Sequence, residues 1–194
     1  MRATFVLLTD WETQNFMRKL AVELDAQYQI GLSGCLLPAH VSLKQPFQIT
    51  DLHAVETFFD EWVASIEPFD VRFTSLGFHF IEQASVGIVW FDVEETAPLR
   101  GLHNRLNAEL SQRFEHTEAP FDGPQYHFHA TVALGRWPLT FHEKLTREYE
   151  KRAISGGFHV RELALFYYAA DDFAPGTFTD YKILRTGRSA LSAR

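Results

Sequence analysis

The 194-residue chain is 46% hydrophobic and 14% aromatic, enough to bury a sizeable core and too apolar for a disordered polymer. Its formal charge of −7 and pI near 5.7 exclude a protein that grips long nucleic acid through a basic face, but not one that holds a nucleotide or an RNA end with a few local cations. The single cysteine, Cys35, rules out an intramolecular disulfide and a cysteine-rich zinc site and reads as a small, at least half-buried thiol. No stretch has the length of a membrane span and the N-terminus does not read as a signal peptide, so a cytoplasmic protein is expected.

Residues 3–8 (ATFVLL) predict a buried strand. Asp10 then suits the N-cap of a helix with Trp11, Phe16, Leu20 and Leu24 on its apolar side and Gly31 beyond its end. Gly31 and Gly34, either side of Ser33, mark a loop, and Pro38 leads into HVSLKQPF at 40–47. Asp51 caps a second predicted helix running to about Ile66, with Val55, Phe58, Phe59, Trp62 and Val63 inward. Pro68 ends it, and residues 69–80 read as a strand or two.

The same order recurs. VGIVWFDV at 86–93 is a strand, and Pro98 opens a helix carrying Leu99, Leu102, Leu106 and Leu110. A loop with Pro120, Gly123 and Pro124 leads to a predicted strand at 126–134, YHFHATVAL. A helix over Thr140 to about Ala153 and strands at 158–168 and 178–185 complete the chain, with RTGRSALSAR as a solvated basic tail. No polar linker separates independent domains, so residues 1–194 are expected to form one α+β domain of two similar lobes.

Two short motifs carry the chemistry: His40-Val41-Ser42 and His129-Ala130-Thr131. With nine histidines in the chain, His-x-Ser/Thr should occur roughly once by chance, so the bare pattern is weak. Its setting adds more. On a strand, residues two apart share a face, so each motif turns an imidazole and a hydroxyl one way and apolar neighbours the other. Two imidazoles across a cleft can act as base and acid in a displacement at phosphorus, and hydroxyls beside them can donate to the phosphate oxygens.

The paired motifs HVSL and HATV, 89 residues apart, and the order of elements resemble the two-histidine (2H) phosphoesterase superfamily, in particular the 2′-5′ RNA ligase-like proteins and RNA 2′,3′-cyclic phosphodiesterases. The resemblance implies a bilobal α+β fold of mainly antiparallel sheet with outer helices, two pseudo-twofold-related lobes and a central groove. It makes His40 and His129 the catalytic pair and Ser42 and Thr131 the phosphate ligands. The first motif departs from the commoner threonine but keeps the hydroxyl. The expected activity is hydrolysis, or reversible ligation, at a 2′,3′-cyclic phosphate or 2′-5′ phosphodiester. Its substrate would be an RNA end, a small nucleotide or a non-RNA ligand such as an ADP-ribose cyclic phosphate, the other class of reading being a module that binds such ends without turnover. No cofactor is expected, and the protein is taken as a monomer.

Three further residues are candidate substrate contacts. Lys44 continues the phase of His40 and Ser42, His127 shares the phase of His129, and Tyr126 is one of several aromatics, with Phe47, Phe80 and Trp137, that lie near the motifs. For the aromatics core packing is the better reading, and His127-x-His129 lacks the third ligand a metal site needs. No functional role follows from sequence for His53, His103, His116 or His142.

Overall fold

The computed structural model describes residues 1–168 and 180–186. In chain order these form β1 (Arg2–Leu8), α1 (Trp11–Tyr28), β2 (His40–Ser42), β3 (Phe47–Gln48), α2 (Leu52–Ala64), β4 (Asp70–Ile81), β5 (Val86–Val93), α3 (Ala97–Arg113), β6 (His129–Arg136), α4 (Leu139–Tyr149), β7 (Gly156–His159), β8 (Glu162–Tyr168) and β9 (Asp180–Arg185). The strands build two antiparallel sheets. The first has the order β2-β1-β8-β9, with β3 also paired to β1, and the second has the order β6-β5-β4-β7. The sheets correspond at their motif ends: each carries a histidine-motif strand at one edge, and the strand that leads into the preceding helix lies next to it. This is a two-lobed α+β fold.

The lobes do not coincide with the two halves of the chain. β4, from the first half, joins the second sheet, and β8 and β9 return to the first. The stretch expected to be one strand at 158–168 is two: Phe158 pairs with Val71 of β4, while Leu163 pairs with Leu7 of β1. Val160, fully buried between them, donates its N–H to Phe69 O as the chain changes sheets.

Helix starts follow local chemistry. Asp10, Asp51 and Thr96 each accept from the backbone N–H three residues on, which satisfies a donor the first turn leaves unpaired. The inward stripe of α1 is Thr13, Met17, Leu20, Ala21 and Leu24; Trp11 is 71% exposed, contrary to its expected place on the apolar face. Since 3.6 residues make a turn, Trp11 falls a third of a turn off that stripe. The last helix starts and stops a little earlier than expected, its described turn ending at Tyr149.

α2 covers the inner face of the first sheet, where fully buried Phe5 meets Phe58, Phe59 and Trp62 with ring centroids 5.5–5.9 Å apart. α1 instead packs on the second sheet: Phe16 stacks on Phe91 of β5 at 5.5 Å, and Thr13 donates to Gly157 O. Tyr28 and Tyr149 join α1 to α4. The inner faces of both sheets therefore share one continuous core. No helix among the described residues is long and apolar enough to cross a membrane.

Candidate active site

β2 and β6, the two motif strands, lie against each other where the sheets meet. Alternation holds across both motifs and breaks in β6 only beyond the second, at a bulge where Val132 and Ala133 are both buried. Val41 and Ala130 are fully buried in the core, while His40, Ser42, His129 and Thr131 are half-buried on the opposite face. The sequence expectation that each motif turns an imidazole and a hydroxyl away from the core matches this placement.

The two histidines are held alike. His40 Nδ1 lies 2.8 Å from Pro38 O and His129 Nδ1 lies 3.0 Å from His127 O, in each case the carbonyl two residues back. A carbonyl only accepts, so Nδ1 carries the proton and Nε2 is the free nitrogen of the neutral ring. Neither Nε2 has a hydrogen-bond partner among the described residues, and neither do the hydroxyls of Ser42 and Thr131. Each ring also rests on an aromatic from its own sheet. The His40 centroid is 4.9 Å from Phe166 of β8, edge-on, and the His129 centroid is 5.0 Å from Trp90 of β5.

Burial pushes both imidazoles below the usual histidine range, because a cation loses hydration there. The smaller influences differ. His40 is lifted by the Pro38 carbonyl and lowered further by the charge of His129, so the two rings feel each other. His129 is lifted by the His127 carbonyl and the Asp92 carboxylate and lowered by the His127 ring. Asp92 lies directly opposite His129 across β5 and β6. It is fixed by three donors: Trp90 Nε1 and His127 Nε2 to Oδ1 at 2.7 and 2.9 Å, and Ser75 Oγ to Oδ2 at 2.7 Å. Trp90 can lie flat because its cross-strand neighbour is Gly77, where a Cβ would fall 2.1 Å from the indole nitrogen.

Of the three candidate contacts, His127 stands beside the pair, 57% exposed and stacked at 5.6 Å on His129. Lys44 does not face the groove. β2 ends at Ser42, the alternation stops there, and both Leu43 and Lys44 are buried. The Lys44 ammonium sits 2.5 Å from Asp122 and 2.7 Å from Asn107. Tyr126 is also in the core, since β6 begins at His129 rather than at 126. Its ring stacks on His103 at 4.3 Å and its hydroxyl donates to Ser42 O at 3.1 Å. Both are supports rather than contacts. Phe47 and Trp137 are buried, as packing favoured. His103 is structural: Nδ1 donates to Leu43 O and Nε2 accepts from Gly123 N, which fixes a neutral ring. Sequence reasoning missed Trp90, Asp92 and Phe166. Trp90-x-Asp92 in an otherwise apolar strand, with both side chains on one face, was the available signal. Among the described residues no group of three or more His, Cys, Asp or Glu is arranged to hold a metal ion.

Residues 15–172 match the 2′-5′ RNA ligase superfamily. The chain belongs to that superfamily. The match spans both motif strands, so the twin histidine geometry lies within the region that defines this 2′-5′ RNA ligase superfamily member. Solved structures with the same fold include TT0787 of Thermus thermophilus, at 15% identity and TM-score 0.65, covering 96% of this chain and 98% of that one. Escherichia coli LigT complexed with 3′-AMP follows at 16% identity and TM-score 0.56 with the same coverage. Kluyveromyces marxianus Usb1 is similar at 12% identity and TM-score 0.51, covering 84% of this chain and 92% of that one. No curated protein matches the sequence.

Proposed function

We propose that the protein is a metal-independent phosphoesterase that opens a 2′,3′-cyclic phosphate or cleaves a 2′-5′ phosphodiester at an RNA end or small nucleotide. One observation carries this reading: two imidazoles on facing edge strands, each with Nδ1–H tied to the carbonyl two residues back, each leaving Nε2 free beside an unpartnered hydroxyl. A phosphate between them meets a base on one side, an acid on the other, and two hydroxyl donors for its non-bridging oxygens.

We take His129 as the acid, because the Asp92 carboxylate faces it across the strands, against the opposing charge of the His127 ring, and His40 as the base. His40 Nε2 thus takes a proton from water as the water oxygen bonds to phosphorus. The P–O bond to one ribose oxygen breaks, and that oxygen takes the proton of His129 Nε2. The product is a phosphomonoester, and proton exchange with solvent resets both rings. Ser42 and Thr131 stabilise the charge gathering on the phosphoryl oxygens.

A panel of 2′,3′-cyclic nucleotides, 2′-5′-linked dinucleotides, ADP-ribose cyclic phosphate and cyclic-phosphate-ended RNA, incubated with the protein in EDTA, tests the proposal. Turnover of a nucleotide or RNA member is expected. Turnover that needs an added divalent ion, or binding without turnover, would overturn it.

A further inference from the structure

The groove face of the first sheet continues well past the histidine pair. Directly paired residues of antiparallel strands share a face. His40 pairs with Leu8, Leu163 pairs with Leu7 so that Glu162 comes next to Leu8, and Glu162 pairs with Arg185. His40, Leu8, Glu162 and Arg185 thus form one cross-strand row on one face. Three strand spacings of about 4.8 Å put Arg185 about 14 Å from His40.

At that far end lies an open cavity of about 640 Å³, lined among the described residues by Leu8, Trp11, Gln14, Arg161, Glu162 and Arg185, with Thr9, Asp10, Asn15 and His159 completing it. It does not stand apart from the catalytic groove. A second cavity of about 150 Å³ includes Thr131 and Ala39, the neighbour of His40, together with Arg18, and shares Gln14 and Asn15 with the first. The two cavities therefore adjoin at Gln14 and Asn15, on the first turns of α1.

The lining has the chemistry of one nucleotide. Trp11 is 71% exposed, rare for so large an apolar ring, and offers a stacking face that every base can use. Arg161 is exposed and has no carboxylate partner among the described residues, so it is a free phosphate ligand; Arg185 pairs with Glu162 at 3.0 Å. The carboxylates Asp10 and Glu162 face the same space, but Asp10 is occupied by the N–H of Thr13 and Glu162 by Arg185. Gln14 and Asn15 supply amide groups for a base edge. Arg18, Arg161 and Arg185 against Asp10 and Glu162 leave the two linings one positive charge, in a chain of net charge −7.

Resting on the phosphoesterase reading, we infer that the Trp11–Arg161–Arg185 cavity is a second nucleotide subsite, which holds the single-stranded RNA leading up to the reacting end and makes an RNA terminus, not a free mononucleotide, the preferred substrate. Leu8 at the near end of the cavity pairs with His40, but the Arg185 end lies about 14 Å away, beyond the nucleotide bearing the reacting phosphate, so a mononucleotide leaves that far end empty.

The test compares a 2′,3′-cyclic mononucleotide with a short single-stranded RNA ending in a 2′,3′-cyclic phosphate, using wild type, Trp11→Ala and Arg161→Ala. Both side chains are exposed and outside the catalytic groups. The wild type should show the higher kcat/KM on RNA, and each variant should lose about tenfold on RNA, within the range for one lost base stack at Trp11 and one lost charge-assisted hydrogen bond at Arg161, with the mononucleotide unchanged in Arg161→Ala and less affected than RNA in Trp11→Ala. Equal loss on both substrates, or no loss on RNA, overturns the subsite. Binding of the same RNA ending in a 3′-phosphate, followed by fluorescence anisotropy, separates this from the catalytic reading. If no cyclic phosphate is turned over but binding still weakens about tenfold in both variants, the function fails and the subsite stands. If turnover is seen but binding is indifferent to Trp11 and Arg161, the subsite fails and the function stands.

Discussion

Asp92→Asn isolates the carboxylate charge that faces His129. Asparagine keeps an oxygen for Trp90 Nε1 and His127 Nε2, and its amide can donate to Ser75 Oγ, so the three contacts at Asp92 survive while the negative charge goes. Asp92 faces His129 directly across the two strands, where opposed Cβ atoms lie about 5 Å apart. The carboxylate is 24% exposed, so an effective dielectric of about 40, between protein surface and bulk water, is appropriate. With charge centres about 6 Å apart, 332/(40 × 6) gives about 1.4 kcal/mol, or one pKa unit on His129. The pH profile of kcat/KM on a 2′,3′-cyclic nucleotide reads the free enzyme's base and acid as two limbs of a bell. If His129 is the acid, the alkaline limb should move down by about one unit in Asp92→Asn and the maximum should fall, with the acid limb nearly fixed. Movement of the acid limb instead would make His129 the base. An unmoved profile would refute the claim that Asp92 biases the pair at all.

His40→Ala and His129→Ala should each lower turnover by about 10²–10⁴-fold, and the double variant by much less than the product, since the rings act as a unit; His53→Ala on α2, away from the groove, should be silent in the same assay. Ser42→Ala and Thr131→Ala should cost about 3 kcal/mol or less in transition-state stabilisation, read from kcat/KM. Lys44→Met strands a largely buried Asp122 carboxylate and should destabilise the fold by about 3–5 kcal/mol in urea unfolding, while KM for the cyclic nucleotide barely changes; a large KM effect in a stable variant would restore Lys44 as a substrate contact. Stability should also fall with acid in a defined window. Burial holds His40, His103, His129 and His142 below the unfolded value of about 6.5, so the unfolded chain binds more protons just below that pH. Their contribution is fully present above about 6.5 and is lost as pH falls through the lower folded values; a melting temperature flat between pH 7 and 5 would contradict this.

Much of this was legible in local signals. Asp10 and Asp51 were readable as caps because a short side-chain oxygen before an apolar stripe has few other uses, and both do cap. The two histidine motifs were readable because period-two alternation survives in strands as short as β2. Readings failed where tertiary context decided. Lys44 was extrapolated along a strand that ends two residues earlier, and Tyr126 along one that starts three residues later. Residues 158–168 looked continuous because both strands are apolar, and nothing local signals that Val160 hands the chain from one sheet to the other. Asp92 and Phe166 support histidines 37 and 126 residues away in the chain, a relation only the register reveals. The expectation of a solvated tail falls, from residue 187 on, outside the described residues.

The interlaced sheets set an order of assembly. β4 to β7 are consecutive in the chain, so the sheet bearing His129 can complete as soon as residue 159 has been synthesised. The sheet bearing His40 cannot: β1 needs β8 as its other neighbour, and the ring of His40 rests on Phe166. Joining those strands closes a loop of more than 150 residues, which chain entropy and contact order both make the slow step. A growing chain on the ribosome thus holds one histidine in place long before its partner. It brings the two together only when β8 folds back onto β1 and sets Phe166 against the ring of His40.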